Sequence, residues 1–255
     1  MAIDKTQLKA HLVNNSSDDL WDDLVGAWLC DNGAGTTITD YSGNDYHGAI
    51  TKHASSAYTW TPDGIEYDDG AGNFVQAISS IPTSTIDAVT ILALMKPVQA
   101  DFSGTLVRAG VDYGVGGLTL YYNSAGTQVV LARGSNNVSA PVSDDTFVGL
   151  FGLYERGLSA DGTLQIYKDK TLIDSDAGLT HSFSAGNSRI AVITALSGTS
   201  KIEFSCILIW DRKLSRFEID KIVDNEYDEF DPIPTIARQM AERNNKIIGG
   251  KQTVY

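Results

Sequence analysis

Short apolar runs separated by turn residues occupy most of the chain. Residues 24–30 form a run that is too short for a typical helix and is interrupted by Gly26, so it predicts a buried strand. Residues 89–96 form another, which stops at Pro97 because proline cannot donate to a strand ladder. The same pattern predicts further strands at residues 105–109, 118–122, 128–132, 146–154, 164–167, 171–173, 189–195 and 202–211. Many short strands with turn residues between them predict an all-β fold, a two-sheet antiparallel sandwich.

The periodicity becomes helical near both ends of the chain. Asp4 caps a short predicted helix, in which Leu8 and Leu12 share one face. Near the other end, Ser215 and Glu218 form a capping box for a second predicted helix. The predicted apolar face of that helix contains Phe217, Ile219, Ile222 and Val223.

These patterns predict one domain with an arm at each end. A chain of 255 residues suits a single β-rich domain, because sandwiches often exceed about 200 residues as one unit. The predicted division is an N-terminal arm at 1–19, the sandwich at 20–224 and a C-terminal arm at 225–255. The sequence predicts that the second arm is extended at residues 231–234 and can form a short helix at residues 237–246. Such arms are either disordered or ordered by a neighbouring molecule.

The charge distribution excludes two classes of partner. The chain carries a net charge of −13, and residues 232–255 contribute four basic residues and one acidic residue, so residues 1–231 carry −16. An acidic body repels nucleic acid and anionic membranes, and we expect neither as a partner. The basic tail either stays solvated or docks on another acidic subunit.

The lack of a recognisable targeting signal and the small number of cysteines predict a protein made in a cytoplasm. The first 13 residues lack the apolar core of a signal peptide, and no run approaches the roughly 18 apolar residues of a membrane span. Cys30 and Cys206 lie in predicted strands, and two cysteines are too few for a disulfide framework. We expect buried free thiols, with a bridge between them as the alternative.

An ordered set of segments resembles one known family. Residues 24–28, 40–44 and 47–48 are similar to the opening motif of LamG-like (concanavalin A-like) jelly rolls. The Gly-rich turn at 69–75, the strand at 89–97 and the hairpin at 164–170 resemble later segments of that family, with Leu94 where an aromatic residue is common. Residues 209–219 resemble its closing motif. The matches span about residues 20–224 in the family's order.

The resemblance implies a jelly roll with a short N-terminal helix and a C-terminal helix followed by an extended arm. In that fold the first and last strands are neighbours, so we expect Trp28 and Trp210 to lie side by side in the seam of the sandwich. Residues 225–232 are also similar to the tail of LamG-like proteins encoded by bacteriophages, with Glu226 replacing the usual proline.

The resemblance also raises the question of a metal. Family members often carry a structural calcium, an ion that takes six to eight oxygen ligands. The loop at 32–48 and the residue before it supply Asp31, Asp40 and Asn44 as candidate ligands, but Ser205 and Cys206 stand where the family usually has an acidic pair. The alternative is that Asp40 and Asn44 bond to their own backbone as turn residues. We therefore expect no cofactor, with structural calcium as the alternative.

The sequence does not predict an enzyme. Glycosidases on related jelly rolls place two or three carboxylates on one strand facing one groove, and no predicted strand has that pattern. The chain also contains no G-x-S-x-G, phosphate-loop or dinucleotide-binding motif. His47 is expected to be a packed, hydrogen-bonded histidine.

Aromatic residues in or beside loops predict sugar binding, because their flat faces stack on sugar rings. The candidates are Tyr46, Tyr58, Trp60 and Tyr113. The alternative is that these rings cover the edges of the sheets.

Two functions remain open. The first is a virion surface protein of a phage (a capsid decoration, head fibre or tail component) that attaches by its arms through residues such as Phe230, Arg238, Arg243 and Tyr255. Its partners would be other virion subunits, further copies of itself and a host-surface glycan. The second is a free lectin-like module that binds carbohydrate, with or without calcium.

Overall fold

The computed structural model describes residues 3–14, 19–50, 56–69, 77–83, 88–99, 103–109, 118–123, 127–156, 162–179, 186–197 and 200–227. These residues form two helices and sixteen strands. In chain order they are α1 Lys5–Asn14, β1 Leu24–Trp28, β2 Thr37–Ile38, β3 Gly48–Ala49, β4 Ser56–Trp60, β5 Ile65–Asp69, β6 Ala77–Thr83, β7 Ala88–Gln99, β8 Ser103–Ala109, β9 Leu118–Asn123, β10 Gln128–Arg133, β11 Asn136–Pro141, β12 Val148–Arg156, β13 Gly162–Lys168, β14 Thr171–Leu179, β15 Gly186–Ser197, β16 Ser200–Trp210 and α2 Arg216–Asp224.

Within the described residues, fourteen strands form two antiparallel sheets. The first sheet contains eight strands in the order β14-β13-β12-β7-β16-β5-β4, and β1 also pairs with β16. The second contains six strands in the order β11-β10-β9-β8-β15-β6. Strands β2 and β3 pair separately with each other. This arrangement confirms the predicted all-β, two-sheet antiparallel jelly-roll sandwich.

The main hydrophobic core lies between the two sheets and follows from strand alternation. In β12, Val148, Leu150 and Tyr154 belong to this inner core, whereas Phe151 and Leu153 belong to a second core on the opposite face. Successive side chains of a strand point to opposite faces, so one apolar strand serves both cores.

The two sheets approach each other closely at a glycine of β12. Gly152 occupies an inward position of β12, and a Cβ atom there would lie only 2.6 Å from the Cδ1 atom of Leu131. Leu131 belongs to β10 in the second sheet and is completely buried. The missing side chain therefore makes room for a leucine from the opposite sheet.

Both helices cover the outer face of the first sheet and form the second core with it. Leu8 and Leu12 of α1 and Ile219 and Ile222 of α2 are buried there with side chains from β7, β12 and β16. The backbone N–H of Asp4 donates to Asn225 Oδ1 at 2.7 Å, which joins the start of α1 to the end of α2.

The capping residues predicted for the two helices are confirmed, but one residue predicted to be buried is exposed. Ser215 and Glu218 form the predicted capping box of α2, with Asn225 as its left-handed C-cap. Asp4 accepts hydrogen bonds from the N–H groups at the start of α1. The prediction that Phe217 joins the buried face of α2 is wrong, since its side chain is 60% exposed. It lies at the second helical position, where its ring contacts the Lys221 ammonium instead.

The two predicted seam tryptophans occupy different cores. Strands β1 and β16 are antiparallel neighbours as expected, with Trp28 opposite Ile207 and Leu24 opposite Trp210. Trp28 is buried between the sheets, whereas Trp210 is buried on the outer face and stacks on Trp21 with a centroid separation of 6.5 Å. The side-by-side prediction is therefore wrong. Ile207 and Trp210 are three positions apart on one strand, and an odd spacing puts their side chains on opposite faces.

Strand β14, at the opposite edge of the first sheet from β4, is joined to the second sheet by hydrogen bonds of its side chains. Asn136 Nδ2 donates to Asp176 Oδ2 at 2.9 Å, and the N–H of Ser139 donates to Asp174 Oδ2 at 3.1 Å. Both donors belong to β11, the outermost described strand of the second sheet. These bonds close one side of the sandwich.

Both cysteines are free and buried, which agrees with the first of the two expectations. Cys30 lies in the inner core and Cys206 in the outer one. Neither described helix is long and apolar enough to cross a membrane.

Candidate functional site

An open cleft of about 730 Å³ lies beside β4, at the edge of the first sheet. The loop before β2 forms its other wall. The lining residues are Gly33, Ala34, Gly35, Thr36, Ile50, Ala57, Tyr58, Thr59 and Trp60. Two of the four predicted sugar-binding residues, Tyr58 and Trp60, thus share one cleft.

The strand pairing places both rings on the same side of β4. Tyr58 and Trp60 are two positions apart, so their side chains point to one face of the strand. Tyr58 lies opposite Tyr67, and Trp60 lies opposite Ile65. Tyr67 and Ile65 are in the inner core, and the half-buried rings of Tyr58 and Trp60 pack against it. The two rings therefore form an aromatic surface where the sandwich opens at its edge.

A single backbone carbonyl fixes both rings. The carbonyl oxygen of Gly35 accepts a hydrogen bond from Tyr58 Oη at 3.2 Å and from Trp60 Nε1 at 3.1 Å. Gly33 and Gly35 have φ values of +71° and +83°, a backbone region that favours glycine. These glycines allow the loop to present its carbonyl to the strand, and the two aromatic side chains are held in place before any ligand arrives.

Both ends of the cleft are anchored to the fold. The N–H of Ile50 donates to the carbonyl oxygen of Thr36 at 2.7 Å, which holds the loop wall. On the strand side, the turn after Trp60 is held by Thr61, whose hydroxyl donates to Glu203 and accepts from the N–H of Gly64. Glu203 is 2% exposed and also forms an ion pair with Lys96.

The other two predicted sugar-binding residues are not part of this cleft. Tyr46 packs against the inner core, and its backbone carbonyl accepts a hydrogen bond from Trp28 Nε1 at 2.9 Å. It is not among the residues that line the cleft. Tyr113 lies outside the described residues, as do the proposed arm residues Phe230, Arg238, Arg243 and Tyr255.

Asp40, a predicted calcium ligand, is the hydrogen-bonding centre of the loop between β1 and β3. Its Oδ1 atom accepts from the N–H groups of Ala27 and Ser42, and its Oδ2 atom accepts from the Ser42 hydroxyl and the N–H of Tyr46. All four distances fall between 2.8 and 3.0 Å. The N–H of Asp40 itself donates to His47 Nδ1, which confirms that this histidine is hydrogen-bonded. The prediction that His47 is packed is wrong, because the residue is exposed.

The other predicted calcium ligands have partners of their own. Asp31 pairs with Lys9 at 2.7 Å and accepts from the Tyr41 hydroxyl. The side-chain amide of Asn44 donates to the carbonyl oxygen of Leu24 at 2.9 Å. Among the residues that the structure describes, no group of three or more His, Cys, Asp or Glu side chains could hold a metal ion. The expectation of no cofactor, with structural calcium as the alternative, stays a prediction.

In the part of the chain that the structure describes, the lining of the cleft carries no formal charge. None of its nine lining residues is Asp, Glu, Lys, Arg or His. Behind Tyr58, burial raises the pKa of the Tyr67 phenol well above its ordinary value, and Cys30 and Tyr58 add to that rise. Tyr67 therefore stays neutral, and the inner side of the aromatic surface carries no charge.

The sequence pattern identifies Gly33 and Gly35 only as turn residues and Thr36 as the start of an extended segment, although residues 33–36 form one wall of the cleft. The feature that matters is the Gly35 carbonyl, and a backbone atom leaves no signature in side-chain chemistry. The two glycines two positions apart are the one signal that could have pointed to a wall built from backbone.

The architecture is shared with several solved structures. The receptor-binding domain of botulinum neurotoxin type G matches with a TM-score of 0.60 and 11% identity, over 80% of this chain and 51% of that one. Trypanosoma rangeli sialidase in complex with sialic acid matches with a TM-score of 0.55 and 14% identity, over 80% and 33%. A structure of botulinum neurotoxin type C, whose cell entry depends on two ganglioside molecules, matches with a TM-score of 0.57 and 13% identity, over 81% and 52%.

At these identities the likeness shows the fold alone. The chain spans about half the length of the two toxin chains that it matches and about a third of the sialidase chain. No protein-family model matches the sequence, and no curated protein sequence matches it either.

Proposed function

We propose that this protein is a non-enzymatic, lectin-like module that binds carbohydrate in the cleft beside β4. The observation that carries the proposal is the pair of rings, Tyr58 and Trp60, held on one face by the carbonyl of Gly35. Rigid aromatic rings offer a large contact area at a low entropic cost, because little side-chain freedom is left to lose on binding. The ring faces are then available for the apolar face of a sugar.

The chemistry of the cleft favours binding over catalysis. Glycoside hydrolysis usually needs two carboxyl groups about 5–9.5 Å apart on one groove. None of the nine lining residues carries a carboxyl group. The buried carboxylate of Glu203 is engaged by Lys96 and Thr61.

The solved structures with this architecture support a glycan as the ligand class. The sialidase was solved with sialic acid, and the type C toxin interacts with gangliosides. Their sites are their own, and for this chain they supply only the expectation that the scaffold suits glycan recognition.

A glycan array tests the proposal. We expect binding to at least one glycan and a loss of roughly tenfold or more in affinity for Trp60→Ala and for Tyr58→Ala, since aromatic residues at the centre of a contact commonly contribute more than about 1 kcal/mol. Phe217→Ala is the matched control, because Phe217 is an exposed aromatic residue on α2 at the outer face. Absence of binding to every glycan, or an equal loss in Phe217→Ala, would contradict the proposal.

We also propose that the module is displayed on a bacteriophage particle. The similarity of residues 225–232 to the tail of phage-encoded LamG-like proteins supports this role.

Protease protection tests the display proposal. If residues 232–255 attach the module to other virion subunits, protease removes them from the free protein but not from the assembled particle. Equal cleavage in both samples, or absence of the protein from purified particles, would reject virion attachment and leave the carbohydrate proposal untouched.

A further inference from the structure

Resting on the proposed carbohydrate function, we infer that the cleft takes an uncharged sugar ring through its apolar face and discriminates against sialylated glycans. Three features of the molecule carry this inference: the lack of a cation among the described lining residues, the use of the aromatic donors by Gly35, and the net charge of residues 1–231.

A sugar carboxylate needs a cation or several free donors where it is desolvated. An ionised carboxylate is bound in proteins through charge-assisted hydrogen bonds from Arg, Lys or clustered N–H groups, and burying one without them is costly. The nine lining residues include neither Lys nor Arg. A sialic acid in this cleft would therefore lose hydration without gaining an opposing charge from any described lining residue.

The two side-chain donors on the aromatic surface are already in use. Tyr58 Oη and Trp60 Nε1 both donate to the Gly35 carbonyl oxygen. To bind an anion, either group would have to leave that oxygen. While both donors bond to Gly35, the rings of Tyr58 and Trp60 can contact a ligand only through their faces. An aromatic face suits the C–H face of a neutral pyranose. Thr36 is exposed and also lines the cleft, and its hydroxyl can exchange hydrogen bonds with sugar hydroxyls.

The charge of the whole body acts in the same direction. Residues 1–231 carry a net charge of −16. Such a field disfavours the approach of an anion, most strongly at low ionic strength where the screening length is long. A neutral sugar experiences neither this repulsion nor a salt dependence.

Matched pairs of glycans test the inference. Lactose is compared with 3′-sialyllactose, and each neutral member of a glycan array with its sialylated form, for the natural chain, Trp60→Ala and the Phe217→Ala control. We expect Trp60-dependent binding of neutral members, at least tenfold weaker binding of their sialylated forms, and less than a twofold change between 50 and 500 mM NaCl.

The outcomes separate the two proposals. Trp60-dependent binding that is tighter for the sialylated members would overturn this inference and leave the carbohydrate function standing. Binding that weakens with salt and is lost in Lys52→Gln would also overturn this inference. That variant is included because Lys52 is close in sequence to the lining residue Ile50 and lies outside the described residues. Binding to no member of any pair would overturn both proposals together.

Discussion

The hydroxyl of Thr61 donates a hydrogen bond to the buried carboxylate of Glu203, which joins the hairpin of β4 and β5 to the centre of the first sheet. The same hydroxyl accepts from the N–H of Gly64, and Glu203 pairs with Lys96 on β7. The turn that follows Trp60 is therefore held by the bond from Gly64 to Thr61, by the bond from Thr61 to Glu203 and by the ion pair of Glu203 with Lys96. This network supports the aromatic surface formed by Tyr58 and Trp60.

Removing the Thr61 hydroxyl tests this support. Thr61→Val keeps the shape of the side chain but leaves Glu203 and the N–H of Gly64 each short of a partner, so we expect a loss of about 1–3 kcal/mol in the free energy of unfolding. Thr61→Ser restores the hydroxyl and should recover most of that loss. Urea denaturation measures both variants, and equal stabilities for valine and serine would contradict the role of the bond.

The loop between β1 and β3 depends on Asp40. Asp40→Ala leaves four donors without their acceptor, among them the N–H of the fully buried Ala27, and we expect a loss of about 3 kcal/mol. Ser42→Ala removes one of these donors and is expected to cost about 1 kcal/mol. Thermal or urea unfolding gives both values. Similar small losses in the two variants would show that the carboxylate is not the centre of the loop.

Two glycines of β12 form a matched pair for the packing between the sheets. Gly152→Ala would place a methyl group 2.6 Å from Leu131 Cδ1 in the inner core, so we expect a loss of about 1–3 kcal/mol. In Gly149→Ala the new methyl group meets only Asp169 Oδ1 at 3.5 Å, an ordinary contact, and the change should be small. The difference in free energy of unfolding checks the prediction, which fails if Gly149→Ala is the more damaging variant.

Stability should fall at alkaline pH because of the buried thiols. Burial raises the pKa of Cys206 from 9.0 to about 12 and raises that of Cys30 as well. Between about pH 9 and pH 12 the unfolded chain therefore loses a proton that the folded chain keeps. Linkage then lowers the free energy of unfolding by about 1.4 kcal/mol per pH unit for each such thiol.

The Cys206→Ala variant isolates this contribution. We expect its loss of stability between pH 8 and pH 10 to be smaller than that of the natural chain by about 1.4 kcal/mol, whatever its stability at pH 8. Chemical denaturation at the two pH values measures the difference. An identical pH dependence in both proteins would show that the thiol of Cys206 ionises as easily in the folded chain as in the unfolded one.

Calcium should leave the protein unchanged. Each carboxylate oxygen of Asp40 already accepts two hydrogen bonds, while Asp31 and Asn44 bond to other partners. We therefore expect the same Tm with millimolar calcium and with chelator. A bound ion at one hundred times its Kd would stabilise the folded chain by about 2.7 kcal/mol, so a Tm increase that chelator reverses would establish the metal site instead.

The sequence predicts the local structure better than it predicts which side chains meet. Alternation and turn residues suffice for the strands, and Ser215 with Glu218 suffices for the start of α2, because these signals act within a few residues. The facing of Trp28 and Trp210 depends on the register between two strands far apart in the chain. The register of β1 against β16 decides which face of the sheet each tryptophan occupies, and no local sequence pattern encodes that register.

The candidate site divides in the same way. The aromatic residues Tyr58 and Trp60 can be selected from the sequence, since their side-chain chemistry is visible there. Tyr46 looks equally suitable, but its backbone and ring are used by Asp40, Trp28 and the inner core. The Gly35 carbonyl that aligns the two cleft rings is a backbone atom brought there by the loop, and only the folded chain reveals it.

The outer edge of the first sheet sets a limit on self-association. Most of β14 is exposed, including Leu172 and Ile173, and an exposed apolar strand edge is a template for aggregation. Here Asp174 and Asp176 bond across to β11, which places two acidic side chains along that edge. A second copy arriving in register would bring its own acids against them. We therefore expect like charges to oppose the pairing of two copies through β14, which makes this strand a poor starting point for a fibre.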